Sequence, residues 1–387
     1  MSDVVVVGCG FAGFWAAVAA RRVLGDGPTI AMVAPEARLV IRPRLYQAHP
    51  ETLSADVAEQ LESIGVDFVP GFATGIDGPA RALLIGDVRL AYRRLVVATG
   101  SAVRRPPIPG ADDALSIDQL ADALVFDRRL REVCAAKSTP RIAVVGAGFT
   151  GIELALELRD RIAIHATHEI AEQATILLID RSPVVGEELG SGPRPDIEGA
   201  LHDARIALVL SATISRLHPD RIDLADGRSI DADLVVLTTG MSAAAFTAAV
   251  PGERDGLARV RVERTLSCGA AADIFVAGDA AHADIGDGHA ALQSCQHALQ
   301  LGRFAGENAA RSLLGMPLVP YAQSRYVTCL DLGRSGAVFT DGWDRRPVHR
   351  GSAAKPIKRR INNEYIYPPV PGDPAALLRA SALPETT

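Results

Sequence analysis

The sequence predicts an α/β protein made of two Rossmann-like dinucleotide-binding units with a small C-terminal region after them. Three observations carry that reading. A β-branched run breaks into a glycine-rich turn and an alanine-rich helix, the same order returns in mid-chain, and a proline-rich crossover separates the two copies.

The first run, Asp3-Val4-Val5-Val6-Val7, is continuous rather than alternating, as suits a strand covered on both faces of a parallel sheet. Gly8-Cys9-Gly10-Phe11-Ala12-Gly13 follows, then a helical stretch from Phe14 to Val23 and a strand from Thr29 to Val33, completing a βαβ unit. Between strand and helix each glycine has a task. Gly8 allows the tight turn, Gly10 lets the backbone approach a pyrophosphate, and Gly13 lets helix and strand pack closely. The helix N-terminus then faces the phosphate charge. The apolar stretch Val4 to Ala20 does not read as a signal peptide or a membrane span. Asp3 precedes it, three glycines interrupt it, and it falls short of the ~20 residues a spanning helix needs.

Arg104-Arg105-Pro106-Pro107-Ile108-Pro109-Gly110 can continue neither a helix nor a central strand, so it marks a boundary. The second unit opens with Arg141-Ile142-Ala143-Val144-Val145 and the fingerprint Gly146-Ala147-Gly148-Phe149-Thr150-Gly151. A long helix from about Ile152 through Glu172 and a strand from Thr175 to Ile179 follow. That strand ends in Asp180, whose carboxylate suits the adenosine hydroxyls of NADH and repels the 2′-phosphate of NADPH. Arg181 beside it is able to pair with that phosphate, so NADH is expected and NADPH is not excluded. Arg221 to Leu224 and Ser229 to Asp231 flank Asp226-Gly227 as a hairpin. Further strands are expected at Asp233 to Leu237 and Ile274 to Ala277, a helix from about Ala290 to Leu314, and short strand-like pieces after Tyr321.

Composition excludes other classes. The apolar fraction of 48% with 22% charged residues is that of a folded globular protein, and a net charge of -6 without a basic domain argues against nucleic acid as a partner. The five cysteines, Cys9, Cys134, Cys268, Cys295 and Cys329, have no zinc-type or CxxC spacing and read as reduced thiols of a cytoplasmic compartment. His282, His289 and His297 match no metal-binding pattern, so no metal is expected.

Further ordered motifs carry a family resemblance: Arg42-Pro43-Arg44-Leu45-Tyr46-Gln47, Leu95-Val96-Val97-Ala98-Thr99-Gly100, Asp233 to Gly240, and Phe275-Val276-Ala277-Gly278-Asp279-Ala280. With the two fingerprints they resemble the two-dinucleotide flavoprotein reductases of the pyridine nucleotide-disulfide oxidoreductase type. The chain looks most like type II NADH dehydrogenases (NADH:quinone oxidoreductases) and their soluble relatives. The resemblance implies an FAD domain in residues 1–110 and 251–320, an NAD(P)H domain in 111–250 and a C-terminal region in 321–387. It implies FAD on the first fingerprint, with Arg42 and Arg44 passing beside the flavin, Ala98, Thr99 and Gly100 at the exit of the FAD domain, and Asp279 after Gly278 holding the ribityl chain. Gly240 then closes the NADH domain, and Glu153 lies near flavin and nicotinamide. Gln296 and Gln300, four apart in Cys295-Gln296-His297-Ala298-Leu299-Gln300, lie at the acceptor side.

The residues themselves leave alternatives. Asp279 also suits a helix N-cap, and Glu153 suits a first helical turn favoured by the dipole. Gln296 and Gln300, with Gln293 and His297, also suit a solvated polar stripe. The strand that ordinarily ends in an acid for the FAD adenosine ribose ends here in Ala34, with Glu36 as the substitute. The family's C-terminal amphipathic helices are not expected from Asn362 to Pro369. Lys355, Lys358, Arg359 and Arg360 read as a solvated basic face, or as a peripheral contact with anionic lipid at the inner face of a membrane. No close cysteine pair occurs in residues 38–60, against a disulfide reductase, and Cys134 and Cys329 read as buried apolar side chains.

The function expected is hydride transfer from NADH to FAD and on to a quinone or similar aromatic small-molecule acceptor. The alternatives are a flavoprotein acting on a small metabolite and a non-turnover FAD/NADH redox sensor. The oligomeric state stays open, a homodimer among the options.

Overall fold

The computed structural model describes residues 1–323 and 325–384. Strand Ser2–Val7 runs through the centre of the first sheet, parallel to Ile30–Ala34 on one side and to Val88–Val97 on the other. Val4 to Val7 are buried, which is why this run lacks the alternation of a half-exposed strand. Val66–Pro70 extends the sheet beyond Ile30–Ala34, and Ala271–Val276 joins parallel to Val88–Val97 from far along the chain. Ala271–Val276 thus returns the chain to the first unit.

The second sheet has the parallel order Leu115–Ser116, Leu234–Leu237, Arg141–Val145, Thr175–Ile179, Ala207–Val209. The expected hairpin lies at Arg221–Leu224 and Ser229–Asp231. The proline-rich crossover leads out of Ser101–Val103, which pairs antiparallel with Met241–Ala243 to tie the two units together.

Helix ends differ from expectation for local reasons. The first fingerprint helix is Phe11–Leu24, so it begins inside the glycine motif. The stretch expected as one helix through Glu172 is two, Phe149–His165 and His168–Gln173, because Thr167 starts a new N-terminus by accepting a hydrogen bond from the Ile170 N–H. The helix expected from Ala290 begins at Cys295, where Ser294 caps it. Helix Cys295–Leu313 packs against Phe11–Leu24 through glycines. A Cβ on Gly302 would collide with the Ala12 carbonyl, and one on Gly306 with that of Ala16. This contact fixes the start of the late helix beside the first fingerprint.

The tail holds more helix than its composition suggests. A three-stranded antiparallel sheet, Val327–Asp331, Ala337–Asp341 and Arg346–Arg350, is followed by helix Gly351–Arg360, a π-helical turn Ile361–Tyr365 and helix Pro374–Ala380. Pro356 inside the first of these hides it from a reading of helix formers. No helix of the described residues is long and apolar enough to cross a membrane.

Candidate active site

The two fingerprints have the same internal construction. Gly8 has φ +103° and Gly146 φ +111°, conformations that suit glycine, and a Cβ on either would press against the carbonyl of the facing strand end, Ala98 or Thr238. A Cβ on Gly13 or Gly151 would collide with the carbonyl of its own loop's first glycine. The middle glycines differ. A Cβ on Gly10 meets nothing within 4 Å, whereas one on Gly148 lies 2.5 Å from the Glu188 carboxylate, the far end of a mobile side chain. Protein packing requires the outer glycines, while the space at Gly10 is open and that at Gly148 is taken by the Glu188 side chain.

The acids beside the fingerprints are unlike. Asp180 turns into the second loop, where its carboxylate accepts hydrogen bonds from the N–H groups of Ala147 at 2.6 Å and Ser182 at 2.8 Å. Ala34 is buried, and Glu36 stands out in solvent, 69% exposed and paired with Arg38 at 2.9 Å.

Arg42 and Asp279 meet in one network at the exit of the first unit. Ser101 Oγ donates to Asp279 Oδ2 at 2.7 Å, and an Arg42 nitrogen lies 3.8 Å from the same oxygen. Arg42 also binds Asp118, at 2.5 Å to its carboxylate and 3.0 Å to its carbonyl. Burial raises the Asp279 carboxyl against the pull of Arg42 and Ser101. Asp279 makes no side-chain cap; it sits in a single 3₁₀ turn, Gly278–Ala280, so the N-cap alternative does not describe it. Gly100, at φ +70°, lies beside Arg42, and the Thr99 hydroxyl and Gln300 carbonyl oxygen are buried without a partner among the described residues. Gly240 lies at φ +83° with open space around it.

Glu153 lies just past the first turn of its helix and is buried, and its Oε1 accepts from Lys358 Nζ at 2.7 Å and from the Asp331 N–H at 2.8 Å. Both side chains of the pair are under a tenth exposed. Glu153 holds the Lys358 ammonium in its charged form, raising its pKa, while burial raises that of Glu153. The basic run is divided rather than one solvated face: Lys358 is inside and Lys355 pairs with Asp331, whereas Arg359 and Arg360 are exposed, Arg360 beside Glu364. Lys358 Nζ also donates to the Cys329 carbonyl at 3.0 Å and lies 5.7 Å from the Tyr46 ring centre. Tyr46 in turn donates to Asp331 at 3.2 Å. Arg44 reaches the tail, with Tyr367 Oη at 3.0 Å.

The late helix divides its polar residues. Gln296 donates to the Arg325 carbonyl at 3.3 Å, while Gln300 turns inward. His297, for which a solvated stripe is one sequence alternative, is fully buried, and burial lowers its pKa to about 4. Burial pushes the Cys295 thiol up to about 11, so no thiolate is available there near neutral pH. Lys358 and Asp279 both lie within electrostatic reach of that thiol, linking tail and first unit at one place.

Residues 2–302 match the model of the pyridine nucleotide-disulphide oxidoreductase family. An NADH dehydrogenase-like protein of Mycobacterium tuberculosis is 37% identical over 99% of this chain and 98% of its own. The demethylphylloquinone reductase of Synechocystis is 26% identical over 94% of this chain and 92% of its own. Among solved structures, NDH2 from Plasmodium falciparum in complex with NADH superposes with a TM-score of 0.79 at 11% identity, covering 98% of this chain and 96% of that one. The sulfide:quinone oxidoreductase of Aquifex aeolicus gives 0.77 at 18%, covering 95% and 91%. FAD and NADH, the cofactors expected from the fingerprints, are those of this family. The chain belongs to the pyridine nucleotide-disulphide oxidoreductases and is an oxidoreductase akin to the type II NADH dehydrogenases.

Proposed function

We propose that the protein oxidises NADH through FAD and reduces a quinone or quinone-like aromatic acceptor. The observation that carries this reading is the buried Glu153–Lys358 pair, which joins the second fingerprint helix to the tail beside Tyr46 and within reach of the Cys295 end of the late helix.

The residues suit the cofactors. Open space at Gly10, the unpartnered Thr99 hydroxyl and Gln300 oxygen, and the buried Asp279 carboxylate are what a pyrophosphate, a ring system and a polyol chain would use. Gly8, Gly10, Phe11, Ala12 and Gly13 would hold FAD with Arg42, Ala98, Thr99, Gly100, Gly278 and Asp279. Gly146, Gly148, Phe149, Thr150, Gly151, Asp180 and Gly240 would hold NADH. When bound, FAD supplies the two-electron chemistry between NADH and acceptor.

This chain's residues supply the proton. Quinone reduction by NADH takes one proton from the medium beyond the hydride transferred. Lys358 Nζ has three N–H bonds and spends one on Glu153 and one on the Cys329 carbonyl, leaving one to point at an acceptor oxygen. Glu153 keeps that ammonium charged and oriented, and the Tyr46 ring offers an aromatic wall. The test is anaerobic stopped flow: NADH bleaches the flavin absorbance and a soluble quinone restores it. Bleaching without restoration by any quinone would refute the acceptor class, and a protein without extractable flavin would refute the whole reading.

A further inference from the structure

The tip of the C-terminal hairpin, the turn between strands Ala337–Asp341 and Arg346–Arg350, reaches the second fingerprint. It carries Trp343, stacked on Tyr326 at 4.3 Å, and Arg345. The Arg345 guanidinium lies 5.9 Å from the Phe149 ring centre and 5.5 Å from that of Tyr326, within cation–π range of both. Phe149 follows Gly148 and opens the fingerprint helix, so this cation stands at the mouth of the dinucleotide site.

Three features set Arg345 apart. Arg42, Arg161 and Arg334 each pair with a carboxylate, whereas Arg345 forms no ion pair with any described residue, and its Nη1 is shielded from water without a partner. Its backbone has φ +52°, a left-handed conformation that a non-glycine side chain adopts at a cost. The tip is nonetheless held there: Arg345 N–H donates to the Gly342 carbonyl at 3.0 Å, and a Cβ on Gly192 would come 2.7 Å from the Arg345 carbonyl oxygen. A guanidinium kept unpaired by a strained turn is available to an anion.

The acid at this loop shows why an anion would need it. The Glu188 carboxylate lies over Gly148, across the path a pyrophosphate takes to the first helical turn, and no side chain caps that turn. Two negative groups at one loop repel unless a cation offsets them. Glu188 and Arg345 both act on the Tyr326 phenol, so the acid and the cation share one neighbourhood beside this loop.

We propose that Arg345 is a positioning residue for the pyrophosphate of the pyridine dinucleotide. It leaves its place between Phe149 and Tyr326 to form charge-assisted hydrogen bonds with the phosphate oxygens as Glu188 swings away. The inference rests on the NADH reading above and names a contact that the tail contributes to that site.

The test uses calorimetry on the FAD-loaded protein with ADP-ribose, which carries the pyrophosphate, and AMP, which lacks it. Arg345→Asn removes the cation while keeping a residue type that tolerates positive φ, and Arg345→Lys restores a point charge. For R345N the expected result is ADP-ribose binding weakened by about tenfold to a hundredfold, AMP binding unchanged and flavin content unchanged. The NADH KM rises to match, while the flavin reduction rate at saturating NADH stays within about threefold. R345K lies between, and Glu188→Gln tightens ADP-ribose. Equal binding of ADP-ribose by wild type and R345N, or equal losses for ADP-ribose and AMP, overturns the role of Arg345 alone. Wild-type protein that neither binds ADP-ribose nor is bleached by NADH overturns the NADH reading with it.

Discussion

Replacing Lys358 by Met separates what the buried pair does for stability from what it does for the acceptor. The ammonium lies 2.7 Å from Glu153 Oε1 with side-chain exposures of 8% and 7%, so water cannot take the place of either partner. Removing the lysine leaves Glu153 with the Asp331 N–H as its remaining donor. Breaking such a pair on one side costs about 3–5 kcal/mol, mostly for the charge left behind. Glu153 then takes up a proton, and the loss is smaller in acid than at neutral pH. Removing both charges in the double variant Glu153→Gln, Lys358→Met recovers most of the stability, since neutral groups carry no large desolvation cost. Denaturant unfolding of the FAD-loaded protein measures this cycle, and stopped-flow reoxidation by a soluble quinone measures the acceptor half-reaction. The expected result is that the double variant regains stability while reoxidation stays about a hundredfold slow, since general acid catalysis contributes about 10²–10⁴-fold. Reoxidation recovering together with stability would show that the pair is only structural, and a single variant losing under about 1 kcal/mol would refute the burial argument.

Three other outcomes follow from individual residues. Gly10→Ala should leave the fold intact, since a Cβ there meets nothing within 4 Å, yet lose flavin, whereas Gly302→Val should disturb helix packing itself because its Cβ meets the Ala12 backbone; flavin absorbance and melting temperature distinguish the two. Glu157, raised to about 7 by burial and by Asp331 and Asp160, binds protons more tightly folded than unfolded, so its favourable contribution is full below about pH 4.5 and lost as pH rises toward 7. Glu157→Gln should therefore stabilise by about 2 kcal/mol at pH 8 and hardly at pH 4, as read from unfolding curves at both. Asp180→Asn should raise the NADPH to NADH ratio of kcat/KM by about tenfold. An unchanged ratio would mean that the carboxylate, already bonded to Ala147 and Ser182, serves only its own loop.

What the sequence made legible was local. Strand Arg141–Val145 and strand Thr175–Ile179 lie where their β-branched runs and flanking glycines indicate, and so does the hairpin around Asp226-Gly227, because each signal sits within a few residues of its consequence. Helix starts were less legible because a cap decides them. Thr167 and Ser294 begin new helices inside stretches whose apolar pattern does not pause. Illegible altogether was whatever depends on a distant partner. Glu153 and Lys358 lie 205 positions apart, and nothing near either one distinguishes a buried ion pair from a first-turn acid or a surface lysine. The same holds for His297, polar by type but enclosed by the Tyr326 and Trp343 rings from the tail.

These long-range partners converge on the tail, and that has a physical reason. Two dinucleotide units bring their fingerprints to the carboxyl ends of parallel strands, where backbone groups and glycines bind cofactors that many oxidoreductases share. Selecting an acceptor requires side chains beyond those shared groups, and they must be rigidly held to keep a proton in position. On the proposed reading the tail meets both demands by turning side chains inward: Lys358 onto Glu153 of the second unit, Lys355 onto the tail's own Asp331, and Tyr367, whose hydroxyl accepts from Arg44 of the first unit. A composition reading takes the same lysines for a solvated face because it counts charges without their partners. The part of the chain least like a nucleotide-binding motif is thus where differences in acceptor among proteins of this architecture have room to arise.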